Sequence, residues 1–456
     1  MRAYERYDSI DLPWMNTIPC DWRTTKNKCI FEESKELVGE KSNEYSLLSL
    51  TLRGIILRDI ESGKGKFPQS FDKYKVVKKG DMAFCLFDMD ETPRTVGLSP
   101  YDGMLTGAYD IYHVHDIRPE YAYYYYLALD NIKALRYFYS GLRKTVSTPV
   151  FMAIKMPVPS DDEQEKIIQY LDWKISSINK AISLTKKKIA ILNEQKRTII
   201  DHIVTGKDLV GSEVKDSRIE GLPRVPSTWL VAPLKLFVKS NTETLSNKTE
   251  DEYEIDYIDI STVGYGFMKS EPVHYTFSEA PSRARRVVHC GDTIISTVRT
   301  YLRSICYIDQ KLDGKIASTG FSVLTPNEMV VPELLNSILS ANYFINAVVK
   351  NSVGTSYPAI TDEKLLNLRI AIPASIEEQQ LLVERINNRT ASIEATIENQ
   401  KKQIAVLTEL RNRIMLDVVT GQVDVRDEFI PVYEKSESFE DEVFDDDLDD
   451  TEEQEE

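Results

Sequence analysis

Cysteine is scarce in this chain, and neither a pair of adjacent prolines nor a long apolar segment occurs in its 456 residues. The cysteines are odd in number and lack the C-x-x-C spacing of a zinc or redox site. No signal peptide is recognised, and no apolar run reaches the roughly 18 residues of a membrane span. We therefore expect a reduced, cytoplasmic protein without disulfides and without a membrane partner. The cysteines are Cys20, Cys29, Cys85, Cys290 and Cys306.

Positive charge is also in short supply, because 56 lysines and arginines face 72 acidic residues and the formal net charge is -16. Residues 434–456 hold 14 acidic residues and one lysine, a charge of -13, which leaves -3 for residues 1–433. A segment so charged and so poor in apolar residues is predicted to be a disordered tail. The nearly neutral body carries its basic residues in clusters, at 64–79, 143–144 and 283–303. Local clusters of this kind are compatible with nucleic-acid binding.

The chain contains one long internal repeat. Residues 164–207 align without a gap on residues 379–422, so that similar residues recur 215 positions later. Both copies end on Val-Thr-Gly, at Gly206 and at Gly421. This spacing is far longer than the roughly 20 to 50 residues of a solenoid repeat. It indicates a duplicated domain.

Each copy of the repeat is predicted to be one long helix, because its apolar residues fall alternately four and three positions apart. The apolar stripe is a narrow seam between polar flanks, so each helix needs one partner. The other copy is the partner we expect, since the polar breaks at Thr185 and Lys196 recur at Gln400 and Arg411. The alternative is that each helix packs on its own globular domain. The seam residues are Ile167, Leu171, Ile175, Ile178, Ile182, Ile189, Leu192, Ile199, Ile203, Leu382, Ile386, Ile393, Ile397, Ile404, Leu407, Ile414 and Val418.

Clear signals mark both ends of each predicted helix. A proline precedes each helix, at Pro159 and Pro373, acidic residues fill the first turn, and a glycine follows the end. A continuous helix from Asp161 to Val204 has 44 residues and would be about 66 Å long. Such a length suits a spacer between two globular parts.

Fainter repeats outside the helices indicate two related globular domains. Residues 18–22 correspond to residues 225–229, with Ile/Val-Pro at the start and Trp at the end. Pro119 and Pro332, each followed by Glu, mark corresponding helix starts with proline in the first turn. Each half is therefore predicted to be a mixed α/β domain of roughly 150 residues followed by a long helix.

A Gly-Asp pair precedes an apolar run in each half. The pairs lie at 80–81 and 291–292, and the runs at 82–87 and 293–298 are predicted strands. The two halves share these positions, but most of their other residues differ. The globular domains have therefore diverged further than the helices.

The order of these motifs, repeated twice, resembles the specificity subunit of type I restriction-modification enzymes. The resemblance covers residues 18 to about 423. It implies an α+β fold, with two α/β target recognition domains in tandem and two long helices that form an antiparallel coiled coil with pseudo-twofold symmetry. The implied segments are a first recognition domain (1–160), a first spacer helix (161–207), a linker (208–222), a second recognition domain (223–375), a second spacer helix (376–422) and an acidic tail (423–456).

The resemblance also implies a function without catalysis by this chain. Each recognition domain would read one half of an asymmetric, bipartite sequence in double-stranded DNA, and the helix pair would set the gap between the halves. The helices would dock two adenine methyltransferase subunits, and motor-nuclease subunits would join that complex. S-adenosylmethionine, ATP and Mg would then belong to the partners, and this chain would hold no cofactor or metal. The closing loop of the first half departs from the family pattern, since residues 141–145 stand where the second half has the usual Gly354-Thr355.

Base reading requires arginine, lysine or amide side chains at the groove edges, while hydroxyls and backbone amides hold phosphates. Basic, hydroxyl and tyrosine residues on predicted loops are therefore candidates, although each of them alone is also typical of a solvated surface. The candidate DNA-binding residues are Lys64, Lys66, Arg94, Arg143, Lys144, Ser147, Arg283, Arg285, Arg286, Arg299, Tyr301, Arg303, Thr355, Ser356 and Tyr357.

Three other patterns have a structural explanation that we favour. The tyrosines of residues 121–126 could stack on bases, but the matching segment 334–339 is aliphatic, so a core helix is predicted. His113 and His115 have the spacing of a metal-binding pair, yet the alternation fits a strand edge equally well. Residues 63–66 lack the first glycine and the hydroxyl of a phosphate-binding loop.

Two other functions compete with DNA recognition. A coiled-coil scaffold whose globular domains bind proteins would use the same helices. A self-contained adenine methyltransferase would need an Asn or Asp followed by Pro-Pro and an aromatic residue to grip a flipped base, and this chain contains no Pro-Pro. Selection of two separated half-sites from random-sequence duplexes would distinguish the specificity subunit from both.

Overall fold

The computed structural model describes residues 2–58, 70–209, 211, 213–355 and 357–433. Residues 59–69 and the acidic tail from 434 onward lie outside this part of the chain, as do Lys64 and Lys66. The fold divides into two compact units. The first unit comprises Met1–Lys188 with Asn399–Glu456, and the second comprises Ile189–Glu398. Each unit therefore contains one globular half and a part of both long helices.

The first half of the chain contains twelve strands and three helices among the described residues. They are β1 (Tyr7–Leu12), β2 (Met15–Pro19), β3 (Arg23–Lys26), β4 (Phe31–Ser34), β5 (Leu48–Thr51), β6 (Gly54–Leu57), β7 (Lys75–Val77), β8 (Met82–Phe84), β9 (Val96–Leu98), β10 (Gly103–Leu105), β11 (Asp110–Val114), α1 (Pro119–Asn131), α2 (Thr148–Ala153), β12 (Lys155–Val158) and α3 (Asp161–Val204).

The second half contains twelve strands and four helices among the described residues. They are β13 (Val214–Ile219), β14 (Leu222–Pro226), β15 (Trp229–Pro233), β16 (Val238–Ser240), β17 (Glu254–Ile258), β18 (Val273–Thr276), β19 (Ala284–Val287), β20 (Thr293–Ser296), β21 (Ile305–Tyr307), β22 (Ile316–Ser318), β23 (Phe321–Pro326), α4 (Pro332–Leu339), α5 (Asn342–Asn351), α6 (Asp362–Asn367), β24 (Arg369–Pro373) and α7 (Ile376–Val419).

The two halves share three of their sheets, while their other strands are arranged in different sheets. The first half has a four-stranded sheet in the order β4-β11-β8-β9, and the second has the corresponding sheet β16-β23-β20-β21. The hairpin β1-β2 and the pair β3-β12 likewise recur as β13-β14 and β15-β24. Mixed sheets and helices agree with the α+β class expected from the sequence, and the common strand order supports a duplication.

The repeated Gly-Asp pairs form the same turn in both halves. Gly80 has a φ of 93° and Gly291 a φ of 98°, the left-handed region that glycine adopts without strain. Asp81 Oδ2 accepts a hydrogen bond from the Lys78 amide at 2.8 Å, and Asp292 Oδ2 accepts one from the amide three residues before it, also at 2.8 Å. The motif therefore stabilises the turn that leads into β8 and β20.

The repeated glutamine at the start of each long helix also has one structural role. Gln164 accepts from the Arg118 amide at 2.9 Å and donates to the Pro159 carbonyl at 3.0 Å. Gln379 accepts from the Val331 amide at 2.8 Å and donates to the Pro373 carbonyl at 2.9 Å. Each glutamine thus ties the start of a long helix to the residue before α1 or α4.

The glycine that follows each long helix packs on the start of a globular half. A Cβ at Gly206 would lie 2.7 Å from Pro226 Cδ and 3.6 Å from the Trp229 ring. A Cβ at Gly421 would lie 2.5 Å from Pro19 Cδ and 3.3 Å from the Trp22 ring. We call these contacts the second joint and the first joint, because they lie in the second and first unit. The first joint brings the end of α7 to the beginning of the chain.

Parts of α3 and α7 lie side by side in each unit, and their residue order is opposite. In the first unit Arg411 Nη1 donates to Asn179 Oδ1 at 2.9 Å, and Arg426, just beyond α7, is 4.0 Å from Glu163. In the second unit Lys196 Nζ is 2.6 Å from Glu394 Oε1. The expected polar breaks at Lys196 and Arg411 are therefore occupied by residues that bond across the helices.

The seam positions are removed from solvent. All 17 predicted seam residues are buried or half-buried, and none is exposed. In the first unit Ile167 and Leu171 belong to the same core cluster as Ile414 and Val418. In the second unit Ile203 shares a cluster with Leu382 and Ile386. Both helices also pack on residues of the globular halves. The alternative arrangement, in which each helix packs on a globular domain, therefore accounts for a part of the contacts.

The tyrosine-rich helix belongs to the core, as predicted. Tyr121, Tyr125 and Tyr126 of α1 are buried in the first core cluster, and Tyr126 Oη donates to Asn27 Oδ1 at 2.7 Å. Burial raises the pKa of each of these tyrosines above its ordinary value. These rings are therefore unavailable for base stacking.

Two local expectations were wrong, and two predicted strands are confirmed but shorter than expected. The predicted linker 208–222 contains β13 and the first residue of β14, a hairpin whose polar sequence gives no alternating signal. The predicted strands 82–87 and 293–298 end at Phe84 and Ser296, because the chain then turns into loops. The strand with His113 is not at a sheet edge, since β11 pairs with β4 and β8.

Candidate nucleic-acid interface

Two loops meet in the second unit at the end of β20. One follows the strand (residues 297–303), and the other closes the globular half (residues 352–360); we call them the strand-end loop and the closing loop. The Ile360 amide donates to the Thr297 carbonyl at 2.8 Å, and the hydroxyls of Thr300 and Ser352 are 2.7 Å apart. We call this meeting point the second loop junction.

Two arginines of the strand-end loop adopt the left-handed conformation. Arg299 has a φ of 48° and Arg303 a φ of 55°, on either side of the one-turn 3-10 helix Thr300–Leu302. The Arg299 guanidinium lies 4.8 Å from the centre of the Tyr357 ring. Tyr357 is 64% exposed, so this cation-π pair faces solvent. A left-handed residue other than glycine is often retained where a side chain must be directed at a ligand.

The remaining candidates of the second half have different surroundings. Arg283, Tyr301 and Thr355 are exposed, whereas Ser356 lies outside the described residues. Arg285 lies 4.6 Å from the Phe277 ring centre. The Arg303 guanidinium donates to Asn346 Oδ1 at 3.4 Å.

Arg286 is the least accessible of these candidates. Its side chain is 18% exposed, and Nη2 is 3.9 Å from Asp362 Oδ2. Burial lowers the pKa of its guanidinium, while Asp362 opposes that change. Asn241 Nδ2 also donates to this carboxylate, at 2.9 Å. Arg286 therefore contributes mainly to the interior of the loop cluster.

The first unit contains a corresponding first loop junction. Its strand-end loop is residues 85–92, and its closing loop is residues 140–147. The Val146 amide donates to the Leu86 carbonyl at 2.8 Å, the counterpart of the bond between Ile360 and Thr297. Asp88 has a φ of 46° and stands at the position that corresponds to Arg299. The left-handed residue is therefore present in both halves.

Arg143 is held firmly at this junction. Its Nη2 and Nε lie 2.6 Å and 3.1 Å from Asp88 Oδ2, and the Asp88 amide donates to the Arg143 carbonyl at 2.8 Å. The guanidinium lies 5.1 Å from the centre of the Phe87 ring. Lys144 Nζ is 3.2 Å from Asp90 Oδ2 and 3.8 Å from Glu91 Oε1. Three carboxylates thus surround two cations.

Two other candidates of the first half have structural surroundings. The Arg94 side chain is 11% exposed, and its Nη1 lies 3.7 Å from Asp130 and donates to Asn131 Oδ1 at 3.2 Å. Asp130 also accepts from the amide and hydroxyl of Thr95. Arg94 is therefore part of a buried ion-pair network rather than of an exposed surface. Ser147 is the residue before α2, and its side chain makes no capping hydrogen bond.

The sequence did not single out Phe87 and Asp88 as functional. An acidic residue is not expected at a DNA surface, and the two strand-end loops share no motif. The positive φ of Asp88 and its contact with Arg143 become visible only when the chain is folded.

The histidines are paired with carboxylates. His113 Nδ1 is 2.5 Å from Asp81 Oδ1, and His115 Nε2 is 2.9 Å from Glu32 Oε2. In the described part of the chain, no group of three or more His, Cys, Asp and Glu residues is placed to hold a metal ion. The five cysteines are free thiols. The helices of the described residues include none whose length and apolar character would suit a membrane crossing.

The second half of the chain matches a known protein family. Residues 226–405 match the family described as "Type I restriction modification DNA specificity domain". This match covers β15 to β24, the second loop junction and much of α7. These residues are therefore similar to a type I DNA specificity domain.

Relatives and a solved structure extend the likeness. The specificity subunit of the type I restriction enzyme MjaVIII from Methanocaldococcus jannaschii is 25% identical over 287 residues, 62% of this chain and 65% of that protein. The HindI specificity subunit from Haemophilus influenzae is 29% identical over 108 residues, 23% of each chain. The matched regions thus span less than two thirds of either relative. A chain from a study of assembly and conformational transition in the type I R-M system has the same fold, with a TM-score of 0.51, 15% identity, and coverage of 89% of this chain and 99% of that one.

The fold of this chain is therefore the α+β fold of that solved structure. The family match and the two relatives are more specific, and all three describe a specificity domain or subunit. The resemblance of the sequence to the type I specificity subunit is therefore confirmed.

Proposed function

We propose that this chain is the sequence-specific DNA-binding subunit of a type I restriction-modification complex. Each globular half reads one half of a bipartite, asymmetric target in double-stranded DNA. The repeated joint is the observation that carries this proposal: Gly206 packs on Pro226 and Gly421 packs on Pro19 in the same way. One attachment of helix to globule, used twice, suits a protein that presents two readers of one kind to two half-sites.

The helix pair has a separate role in this proposal. Parts of α3 and α7 run in opposite order within each unit, and the seam residues are shielded from solvent. This supports an antiparallel coiled coil of two spacer helices, which sets the gap between the half-sites. Exposed apolar residues on the helices, such as Leu184 and Val406, would help to dock two methyltransferase subunits. Motor-nuclease subunits would join that complex.

The chain has no catalytic role in this proposal. S-adenosylmethionine, ATP and Mg are bound by the partner subunits, and the target adenine is modified there. The chain instead supplies the contacts to base edges and phosphates. We propose that these come from the two loop junctions and their surroundings, together with Lys64 and Lys66, which lie outside the described residues. The proposed DNA-binding residues are Lys64, Lys66, Arg143, Lys144, Ser147, Arg283, Arg285, Arg299, Tyr301, Arg303, Thr355, Ser356 and Tyr357.

Charge determines how the binding experiment should be designed. The chain carries a formal net charge of -16, so binding by the chain alone should be weak and sensitive to salt. Random-sequence duplexes should therefore be selected for binding to the complex of this chain with a methyltransferase subunit, at two salt concentrations. The expected result is enrichment of two short sequences separated by a fixed gap. A scaffold that binds only proteins would enrich no sequence, and that result would refute the proposal.

Two changes test the modular arrangement. Exchange of residues 18–155 for the first domain of another family member should change one half-site and leave the other intact. Insertion of one helical turn into both spacer helices should lengthen the gap without changing either half-site. An exchange that alters both half-sites would show that the halves do not read independently.

A further inference from the structure

The two loop junctions contain the same pair of groups in exchanged positions. In the second unit the strand-end loop supplies Arg299 and the closing loop supplies the ring of Tyr357. In the first unit the closing loop supplies Arg143 and the strand-end loop supplies the ring of Phe87. Each half therefore places one guanidinium on one aromatic ring at the same point of the fold, although the residues do not align.

We propose that Arg143 and Arg299 are the specificity-determining residues of the two halves, and that each reads a guanine in its own half-site. This inference rests on the proposed function and names the group that performs the reading. A guanidinium presents a planar fork of donors, and guanine offers O6 and N7 as adjacent acceptors in the major groove. The match is bidentate and depends on the orientation of the arginine.

Both arginines are oriented before any ligand binds. Asp88 contacts both Nε and Nη2 of Arg143, and the Phe87 ring supports the guanidinium. Arg299 is directed by its left-handed backbone and by the Tyr357 ring. The Arg143 side chain is still 63% exposed, so orientation does not remove it from solvent. A fixed plane costs less conformational entropy when a planar partner binds.

Local charge favours a base edge over a phosphate as the partner of Arg143. Arg143 and Lys144 lie among Asp88, Asp90 and Glu91, so the first junction carries a net charge of -1. Phosphate binding depends mainly on positive charge. The net negative charge of the first junction would therefore repel a phosphate. A guanine edge is neutral and requires correctly directed donors. Asp88 is therefore a positioning residue for Arg143.

The experiment uses the complex of the full chain with a methyltransferase subunit, selected on random-sequence duplexes. Arg299→Gln should abolish selection at one position of one half-site, with a loss of roughly 10- to 100-fold in preference for guanine. Arg143→Gln should do the same at one position of the other half-site. Asp88→Asn should weaken selection at the Arg143 position only, because the guanidinium is then less firmly held.

Lysine variants and distant arginines provide the controls. Arg143→Lys and Arg299→Lys keep the charge but lose the planar fork, so they should weaken selection while retaining more of it than the glutamine variants do. Arg136, which lies over the Tyr137 ring, and Arg369, which donates to the Val231 carbonyl, are matched surface arginines whose glutamine variants should leave both half-sites unchanged. Thermal unfolding of each variant verifies that it is folded.

The possible outcomes separate this inference from the proposed function. If the unmodified complex selects two half-sites but the arginine variants leave every position unchanged, the inference is wrong and the proposed function stands. A uniform loss of affinity on all sequences, with a smaller salt dependence or with full activity of the lysine variants, would identify phosphate contacts and would also overturn it. If the unmodified complex selects no half-sites, the proposed function itself fails.

Discussion

The first and second joints share their apolar contacts and differ in their polar ones. At the second joint the Trp229 indole donates to Glu378 Oε1 at 3.0 Å. At the first joint the corresponding carboxylate of Glu163 accepts from Tyr4 Oη at 2.6 Å, and no partner for Trp22 Nε1 is found among the described residues. The packing of glycine on proline and tryptophan is the same at both joints. The donor to the glutamate differs, because it is a tyrosine at the first joint and a tryptophan at the second.

The two joints also differ in their position in the chain. The second joint lies within a continuous segment, from the end of α3 into β13 and β14. The first joint holds together the start of the chain and the residues after α7, which no peptide bond connects. The Asp424 amide donates to the Arg2 carbonyl at 2.7 Å, and Arg426 lies 4.9 Å from the Tyr4 ring centre. Polar contacts between these two segments thus accompany the apolar packing at the first joint.

The largest effect is expected from the joint glycines. Gly206→Ala and Gly421→Ala would each force a Cβ to within 2.7 Å or 2.5 Å of a proline ring carbon, at a φ of 71°. Overpacking and backbone strain together should destabilise the affected unit by about 3–5 kcal/mol. Denaturant unfolding followed by hydrogen exchange of each unit measures this loss.

Two glycines with the same backbone conformation separate the two causes. Gly141 has a φ of 70° and Gly314 a φ of 74°, and a Cβ at either would meet no atom within 4 Å. Their alanine variants should lose only about 1–2 kcal/mol, from the left-handed backbone alone. Equal losses in the control and joint variants would show that the proline contact does not stabilise the joints.

The next effect should come from the buried glutamines. Gln164→Ala and Gln379→Ala each leave a partly buried amide and a buried carbonyl without their glutamine partner, which should cost about 2–4 kcal/mol of unfolding free energy. Gln379 also donates to the Met329 carbonyl at 3.0 Å, so its variant should lose more. The exposed Gln169 and Gln380 are the controls, and their alanine variants should change stability by less than about 0.5 kcal/mol. A larger loss for Gln164→Ala would contradict this order.

The sequence located the joints and left the reading surface largely undetermined. Gly206, Gly421 and the paired glutamines are repeated because their contacts demand one residue type, so the alignment finds them. The same alignment cannot find the loop junctions, since the arginine and the aromatic ring are exchanged between loops that meet only in the folded chain. Arg143 and Arg299 were candidates by charge alone, alongside Arg94, which folding places in a buried ion pair.

A smaller effect distinguishes the two tryptophans. Trp22→Phe and Trp229→Phe remove the same volume, but only the second also removes a hydrogen bond to a carboxylate. The second variant should therefore be less stable than the first by about 1–2 kcal/mol. Glu378→Gln should recover a part of that difference in a double-mutant cycle, because it removes the charge that Trp229 would leave unpaired. Equal losses for the two phenylalanine variants would mean that the indole hydrogen bond contributes nothing.

The smallest effect should appear in the pH dependence of the first joint. The hydrogen bond from Arg426 to Asp424, at 2.8 Å, holds the pKa of that carboxyl below its ordinary value. Its contribution is therefore fully present above the pKa of the unfolded chain, and it is lost as the pH falls through the lower pKa of the folded state. Asp424→Asn should destabilise the first unit by roughly 1 kcal/mol or less near neutral pH, and the difference should shrink as the pH falls below the pKa of the unfolded chain. Asp427→Asn is the control, because Asp427 makes a fully solvated ion pair with Arg2, 3.3 Å away. Unfolding of the three proteins from pH 7 to pH 3 measures the effect, and a difference that grows in acid would contradict the assigned pKa direction.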